Sequence, residues 1–138
     1  MKQVRQLTKH QEHVIKHVLG CQILGSYAQA NHLHFLLDIP YLWSIDADGS
    51  MALVQVEEAI AALDVSEDIR QALFEEASTL HKQGATAITR HFKPLPHPMD
   101  VIDDVTLYTV GDTTHLEIVG GTTTLTAAWC GTSIRLLT

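Results

Sequence analysis

Five of the nine histidines in this 138-residue chain lie within its first 34 residues, and they are the residues best suited to chemistry. His13 and His17 stand four residues apart, a spacing that places both imidazoles on one face of a helix, with His10 on the same flank. His32 and His34 stand two residues apart, so on a strand both side chains share one face. Zinc accepts imidazole ligands at both spacings.

One hypothesis is therefore a zinc site. If the helix packs beside the strand, the side chains of His13, His17, His32 and His34 could hold one zinc ion, whose bound water would act in a hydrolase. No glutamate completes an HExxH arrangement, so the sequence places no general base beside them. The interpretation we favour is structural: these histidines border the core or line a solvated strand face, with an apolar ring and a polar tip.

The elements that position these histidines can be read from the same segment. Thr8 with Gln11 forms a capping box and Gly20 a stop signal, which predicts a helix over residues 9–19. From Cys21 to Ile39 the alternation of apolar side chains predicts two strands, and a glycine within the first of them, Gly25, indicates a bulge or a close backbone approach. Strands over residues 41–45 and 51–54 are expected to join at an Asp-Gly hairpin turn.

Two short motifs resemble those of enzyme families. Residues 46–50, Asp-Ala-Asp-Gly-Ser, resemble the first motif of haloacid-dehalogenase-type phosphatases, which implies nucleophile and acid roles for Asp46 and Asp48. Residues 129–133, Trp-Cys-Gly-Thr-Ser, resemble the thioredoxin-like redox motif, which implies a reactive Cys130 at a helix N-terminus. Each resemblance covers five residues, and the local patterns favour a hairpin turn at Asp48 and a strand after Ser133. We therefore expect Trp129 and Cys130 to be a packed aromatic and a small buried thiol.

The second half of the chain predicts helices followed by strands. A short helix is expected over residues 57–63 and a longer one over 67–82, followed by a strand over 85–92. Pro94, Pro96 and Pro98 then favour an extended connection. The remaining strands are expected over residues 105–110, 115–119, 122–128 and 133–137.

These elements predict a single domain, residues 1–138, of the α+β class: an N-terminal helix, an antiparallel β-hairpin region, two central helices and a C-terminal antiparallel meander. We expect one or two antiparallel sheets with the helices on one face. The exposed edge at residues 133–137 would allow a strand-paired homodimer. Tyr41 and Tyr108 are expected at the rim of a core whose aromatic residues are Tyr27, Phe35, Trp43, Phe74, Phe92 and Trp129.

Composition narrows the class of function. The formal charge of −7 and the lack of an aromatic or basic platform argue against nucleic acid, and no apolar run is long enough for a membrane helix. Two distant cysteines and a start without an apolar signal region predict a cytoplasmic protein. We expect a small acidic, non-catalytic protein that binds a basic macromolecule, as inhibitors and immunity proteins do; the zinc or small-ligand site is the alternative. The carboxylates expected to steer the partner are Glu57, Glu58, Asp64, Glu67, Asp68, Glu75 and Glu76.

Overall fold

The protein is a mixed α+β structure with two antiparallel sheets and more strand than helix. The computed structural model describes residues 2–97 and 99–137, so Pro98 of the predicted proline series lies outside the described residues. The elements in chain order are β1 (Lys2–Val4), α1 (Lys9–Val18), β2 (Ile23–Gln29), β3 (His32–Leu37), β4 (Tyr41–Asp46), β5 (Met51–Gln55), α2 (Val56–Ala61), α3 (Glu67–Gln83), β6 (Asp104–Val110), β7 (Thr113–Val119), β8 (Thr124–Trp129) and β9 (Ile134–Leu137). The α+β class is thus confirmed.

The two sheets have different environments. The central sheet has the order β2-β3-β4-β5 and is covered on both faces, and the outer sheet has the order β1-β6-β7-β8-β9. One face of the central sheet contributes Leu33, Phe35 and Trp43 to a core shared with the outer sheet and with α1. The opposite face contributes Leu36 and Leu42 to a second core beneath α2 and α3. The prediction that the helices share one face was therefore wrong, because β3 is apolar on both sides over residues 35–37 and needs a cover on each.

Helix α1 is fixed at its start by the predicted capping box. The hydroxyl of Thr8 accepts a hydrogen bond from the backbone N–H of Gln11 at 3.1 Å, and the Gln11 side chain accepts one from the N–H of Thr8 at 2.9 Å. Val14, Ile15 and Val18 face the first core. On its other flank, the Nε2 atom of His10 lies 2.8 Å from the carbonyl oxygen of Met51 in β5, which ties the helix to the central sheet.

The segment after α3 contains no strand, contrary to the prediction for residues 85–92. It is held by the carboxylate of Glu76, which accepts hydrogen bonds from the backbone N–H groups of His91 and Phe92 at 2.8 and 2.9 Å and lies 2.7 Å from His91 Nδ1. One isolated bridge, between Lys93 and Ser26, joins it to β2, and Pro94 has no N–H to extend a ladder. Gly25 permits this approach, because a Cβ atom there would lie 3.2 Å from the Lys93 carbonyl oxygen.

The predicted aromatic core is only partly realised. Phe35, Trp43, Phe92 and Trp129 are buried as expected. Tyr27 and Phe74 are half-buried beside the second core. Tyr108 was expected at the rim but is buried, because the His115 ring lies 4.9 Å from its ring centre and the Lys2 ammonium 4.2 Å above it.

We expect Glu76→Ala to lower the free energy of unfolding by about 2–4 kcal/mol, because it leaves two backbone donors of a partly buried loop without an acceptor. Glu75→Ala is the matched control, since Glu75 is exposed and its change should stay within about 0.5 kcal/mol. Denaturant unfolding measures both. Equal losses would contradict the anchoring role of Glu76.

The Glu76 contribution also has a defined pH dependence. Burial raises the pKa of this carboxyl, but the hydrogen bonds from His91 and Phe92 outweigh burial and hold its pKa below the usual value. The unfolded chain therefore binds this proton more readily than the folded protein does. The stabilisation is complete above the unfolded-state pKa and is lost as the pH falls through the folded-state pKa.

Candidate functional site

The second face of the central sheet changes from apolar to polar along its strands. In the register of the sheet, Leu36 pairs with Leu42, His34 with Ser44 and His32 with Asp46. Because residues two apart on a strand share a face, these three pairs form successive rows on one surface. The apolar row lies in the core beneath α2 and α3, whereas the polar rows extend beyond it.

Three residues of the polar rows, His32, His34 and Ser44, form the floor of a cavity of about 460 Å³, which we call the His34 groove. Gln29 and Asn31 extend the floor on the side of β2. Helix α2 and the turn after it supply the rim, where Glu58 and Asp64 are exposed. The helix can leave this end of the sheet open because it is only six residues long.

His34 is the most unusual residue of the groove. Its side chain is buried, with 6% of the residue exposed, and its Nδ1 atom lies 2.7 Å from the hydroxyl oxygen of Ser44. Its Nε2 atom is buried without a hydrogen-bond partner among the residues that the structure describes. Burial, reinforced by the neighbouring His32 and partly opposed by Asp46, lowers the pKa of His34 to about 4. The imidazole is therefore neutral at pH 7.

His32 lies beside His34 but is held differently. The centres of the two rings are 6.1 Å apart, and His32 Nδ1 lies 2.5 Å from Asp46 Oδ1. The hydroxyl oxygen of Ser50 is 3.1 Å from the other oxygen of Asp46 and 2.6 Å from Asp48. Both carboxylate oxygens of Asp46 thus already have a partner, one in His32 and the other in Ser50.

The Asp46–Ser50 motif forms the predicted hairpin turn. Ile45 pairs with Met51 across it, the N–H of Gly49 donates to the carbonyl of Asp46, and Gly49 has a positive φ of 91°. Hydrogen bonds from Ser50 lower the pKa of Asp48. The segment leads into β5 of an antiparallel meander, so it lacks the parallel strand and helix that follow the motif in the phosphatases that it resembles.

The four histidines of the zinc hypothesis lie in two separate pairs. His13 and His17 are exposed on α1, with ring centres 4.6 Å apart, and His17 Nδ1 is 2.8 Å from the His13 carbonyl oxygen. Helix α1 covers one face of the central sheet, whereas His32 and His34 lie on the other face, so the sheet separates the pairs. Among the described residues, no three His, Cys, Asp or Glu side chains are grouped to hold a metal ion.

The seven carboxylates predicted to bind a partner differ in whether they already form an ion pair or hydrogen bond within the protein. Glu76 anchors the loop after α3, and Glu67 lies 2.8 Å from Arg70. Five are exposed and form no ion pair within the described part of the chain: Glu57, Glu58, Asp64, Asp68 and Glu75.

Sequence reasoning missed Gln29, Asn31 and Ser44 as groove residues. The signal that could have found Gln29 and Ser44 is strand register, because the cross-strand neighbours of His32 and His34 face the same way. A larger cavity, of about 530 Å³, lies beside Phe74 and His81, but His81 Nε2 is already 2.9 Å from the Leu37 carbonyl oxygen.

Cys130 lies in the turn between β8 and β9 rather than at a helix N-terminus. It is exposed, so the expectation of a buried thiol was wrong. Its sulfur lies 3.5 Å from the Thr132 hydroxyl oxygen and 3.9 Å from that of Ser133. Hydrogen bonds from Thr132, and secondarily from Ser133, lower the pKa of Cys130 to about 7. Burial and the nearby Asp38 raise the pKa of the second thiol, Cys21.

Comparison of this chain with protein-family models, with curated proteins and with solved structures finds no match. Within residues 2–97 and 99–137, no helix is both long enough and apolar enough to cross a membrane. The arrangement of the site itself therefore has to support any proposal about function.

We expect the stability of the protein to fall between about pH 6.5 and pH 4, in part because of His34. In this range the unfolded chain protonates His34 while the folded protein does not, so stability rises with pH. A pKa lowered from 6.5 to about 4 corresponds to about 3 kcal/mol. The double variant His34→Phe/Ser44→Ala should lack this part of the profile when denaturant unfolding is measured across the range. Parallel profiles of the two proteins would contradict it.

We expect Cys130 to react with a thiol-specific disulfide reagent with a pH midpoint near 7. Thr132→Val removes the strongest hydrogen bond to the sulfur and should move this midpoint upward. Cys130→Ser is the control and should abolish the fast reaction, because only the buried Cys21 remains. An unchanged midpoint in Thr132→Val would show that the hydroxyl does not tune the thiol.

Proposed function

We propose that this is a non-catalytic binding protein and that the His34 groove is its ligand site. The observation that carries the proposal is the buried imidazole of His34, which has one ring nitrogen on Ser44 and the other without a partner among the described residues. A buried polar atom left unpaired costs about 1–3 kcal/mol. A ligand that hydrogen-bonds to Nε2 would remove that cost.

The chemistry of the site favours binding over proton transfer. Ser44 and His34 are in contact, but Asp46, the carboxylate of the adjacent row, is bound to His32. A catalytic serine–histidine pair uses a carboxylate to orient the imidazole. A general base also works best with a pKa near the working pH, whereas the pKa of His34 is about 4.

A second candidate function is the binding of a basic macromolecule, in the manner of an inhibitor or immunity protein. It is supported by five exposed carboxylates that form no ion pair within the described part of the chain: Glu57, Glu58, Asp64, Asp68 and Glu75. Two of them, Glu58 and Asp64, also form the rim of the His34 groove, so both functions could use one surface. Such charges mainly raise the association rate, and their effect falls with salt. The two cysteines are free, which supports action in a reducing compartment such as the cytoplasm.

A fragment screen observed by protein NMR tests the groove. We expect fragments that shift the ring signals of His34 and the amide signals of Gln29 and Asn31, and we expect their affinity to fall at least about tenfold in His34→Phe/Ser44→Ala. The same double variant should unfold at an equal or higher free energy, because it replaces a polar pair by an apolar pair of similar shape.

His17→Gln is the control, because His17 is exposed on α1, across the sheet from the groove. It should leave fragment binding unchanged. A double variant that loses stability while fragment binding persists would assign His34 and Ser44 a structural role and overturn the proposal.

A further inference from the structure

We propose that the group bound in the His34 groove is a cation that carries N–H donors, either a guanidinium or a primary ammonium. This inference rests on the proposed function and names the chemistry of its ligand. Three features support a cation: the unpaired nitrogen of the buried His34 ring, the negative charges around the groove and the hydrogen-bond acceptors in its floor.

The charges around the groove are negative. Glu58 and Asp64 are exposed on the rim and form no ion pair within the described ranges, and Asp46 contacts His32, which lines the floor. No lysine or arginine of those ranges lines the groove. Arg70 is the basic residue closest in sequence to Asp64 of the rim. Its guanidinium is bound to Glu67 and to the carbonyl oxygens of Leu63 and Ile60. A bound anion would face these carboxylates without a positive partner, so charge favours a cation.

The floor of the groove offers acceptors. The Gln29 amide nitrogen donates to the Asp64 carbonyl at 3.4 Å, which leaves the Gln29 side-chain oxygen as an acceptor. When His34 Nδ1 carries the proton and donates to Ser44, Nε2 presents its lone pair. A ligand N–H at Nε2 selects this tautomer, and a neutral His34 does not repel a cation. A guanidinium has five N–H donors in one plane and can reach floor and rim together.

Such a cation has two sources, a free small molecule or an arginine or lysine side chain of a partner protein. Both present the same group to the groove. They differ in the contacts outside it, because a partner also meets the exposed carboxylates of α2 and α3.

The test is an NMR titration of the full-length protein at low salt with matched probes. Butylguanidine and butylamine are compared with the neutral butylurea, and an acetylated arginine peptide with the same peptide carrying citrulline; butyrate is the anionic probe. We expect the guanidinium probes to shift the His34 ring signals and to bind at least about tenfold more tightly than their neutral analogues. Glu58→Gln/Asp64→Asn should weaken them about tenfold. Asp112→Asn should not, because Asp112 is exposed in the turn between β6 and β7 of the outer sheet.

Every outcome decides between the alternatives. Tighter binding of the peptide than of butylguanidine identifies a partner side chain, and the reverse identifies a small molecule; either supports the cation. Equal binding of arginine and citrulline probes, or binding of butyrate at His34, overturns the cation and leaves the groove a ligand site. If no probe and no fragment from the screen binds there, the proposed function fails as well.

Discussion

The pairing of β3 with β4 in one register determines how the rest of the molecule is arranged. It places Phe35 beside Trp43 toward the outer sheet, and Leu36 beside Leu42 toward α2 and α3. The same register sets His34 opposite Ser44 and His32 opposite Asp46 on the second face. A slip of β3 by one residue would turn Phe35 away from Trp43 and bury His32 and His34 between the sheets. The two cores and the groove are thus consequences of a single alignment.

The same alignment explains how much could be predicted from the sequence. Features set by neighbouring residues were found: the Thr8 capping box and the hairpin turn at Gly49. Features that depend on contacts distant in sequence were missed. The segment after α3 has a strand-like pattern, but the carboxylate of Glu76, fifteen residues before His91, holds it in another conformation. The composition of the groove required the strand register, which no local pattern supplies.

The histidines show the limit of arguing from spacing. Spacing correctly placed His13 with His17 and His32 with His34 on shared faces. It could not tell that α1 and the polar rows lie on opposite sides of the central sheet. The residue of greatest interest is set apart from its neighbours by its environment: His34 is buried and neutral, whereas His13 and His17, of the same type, are exposed on a helix.

The bridge between Lys93 and Ser26 has a consequence for how this molecule can meet other chains. It occupies part of the backbone edge of β2, and on the far edge His10 occupies the carbonyl of Met51 in β5. Both edge strands of the central sheet therefore have backbone groups that are already hydrogen-bonded, which limits their pairing with a strand of another chain. The edge strands of the outer sheet are β1 and β9, which have only three and four residues. Short edge strands offer few unpaired backbone groups, so the outer sheet is a poor template for fibrillar stacking.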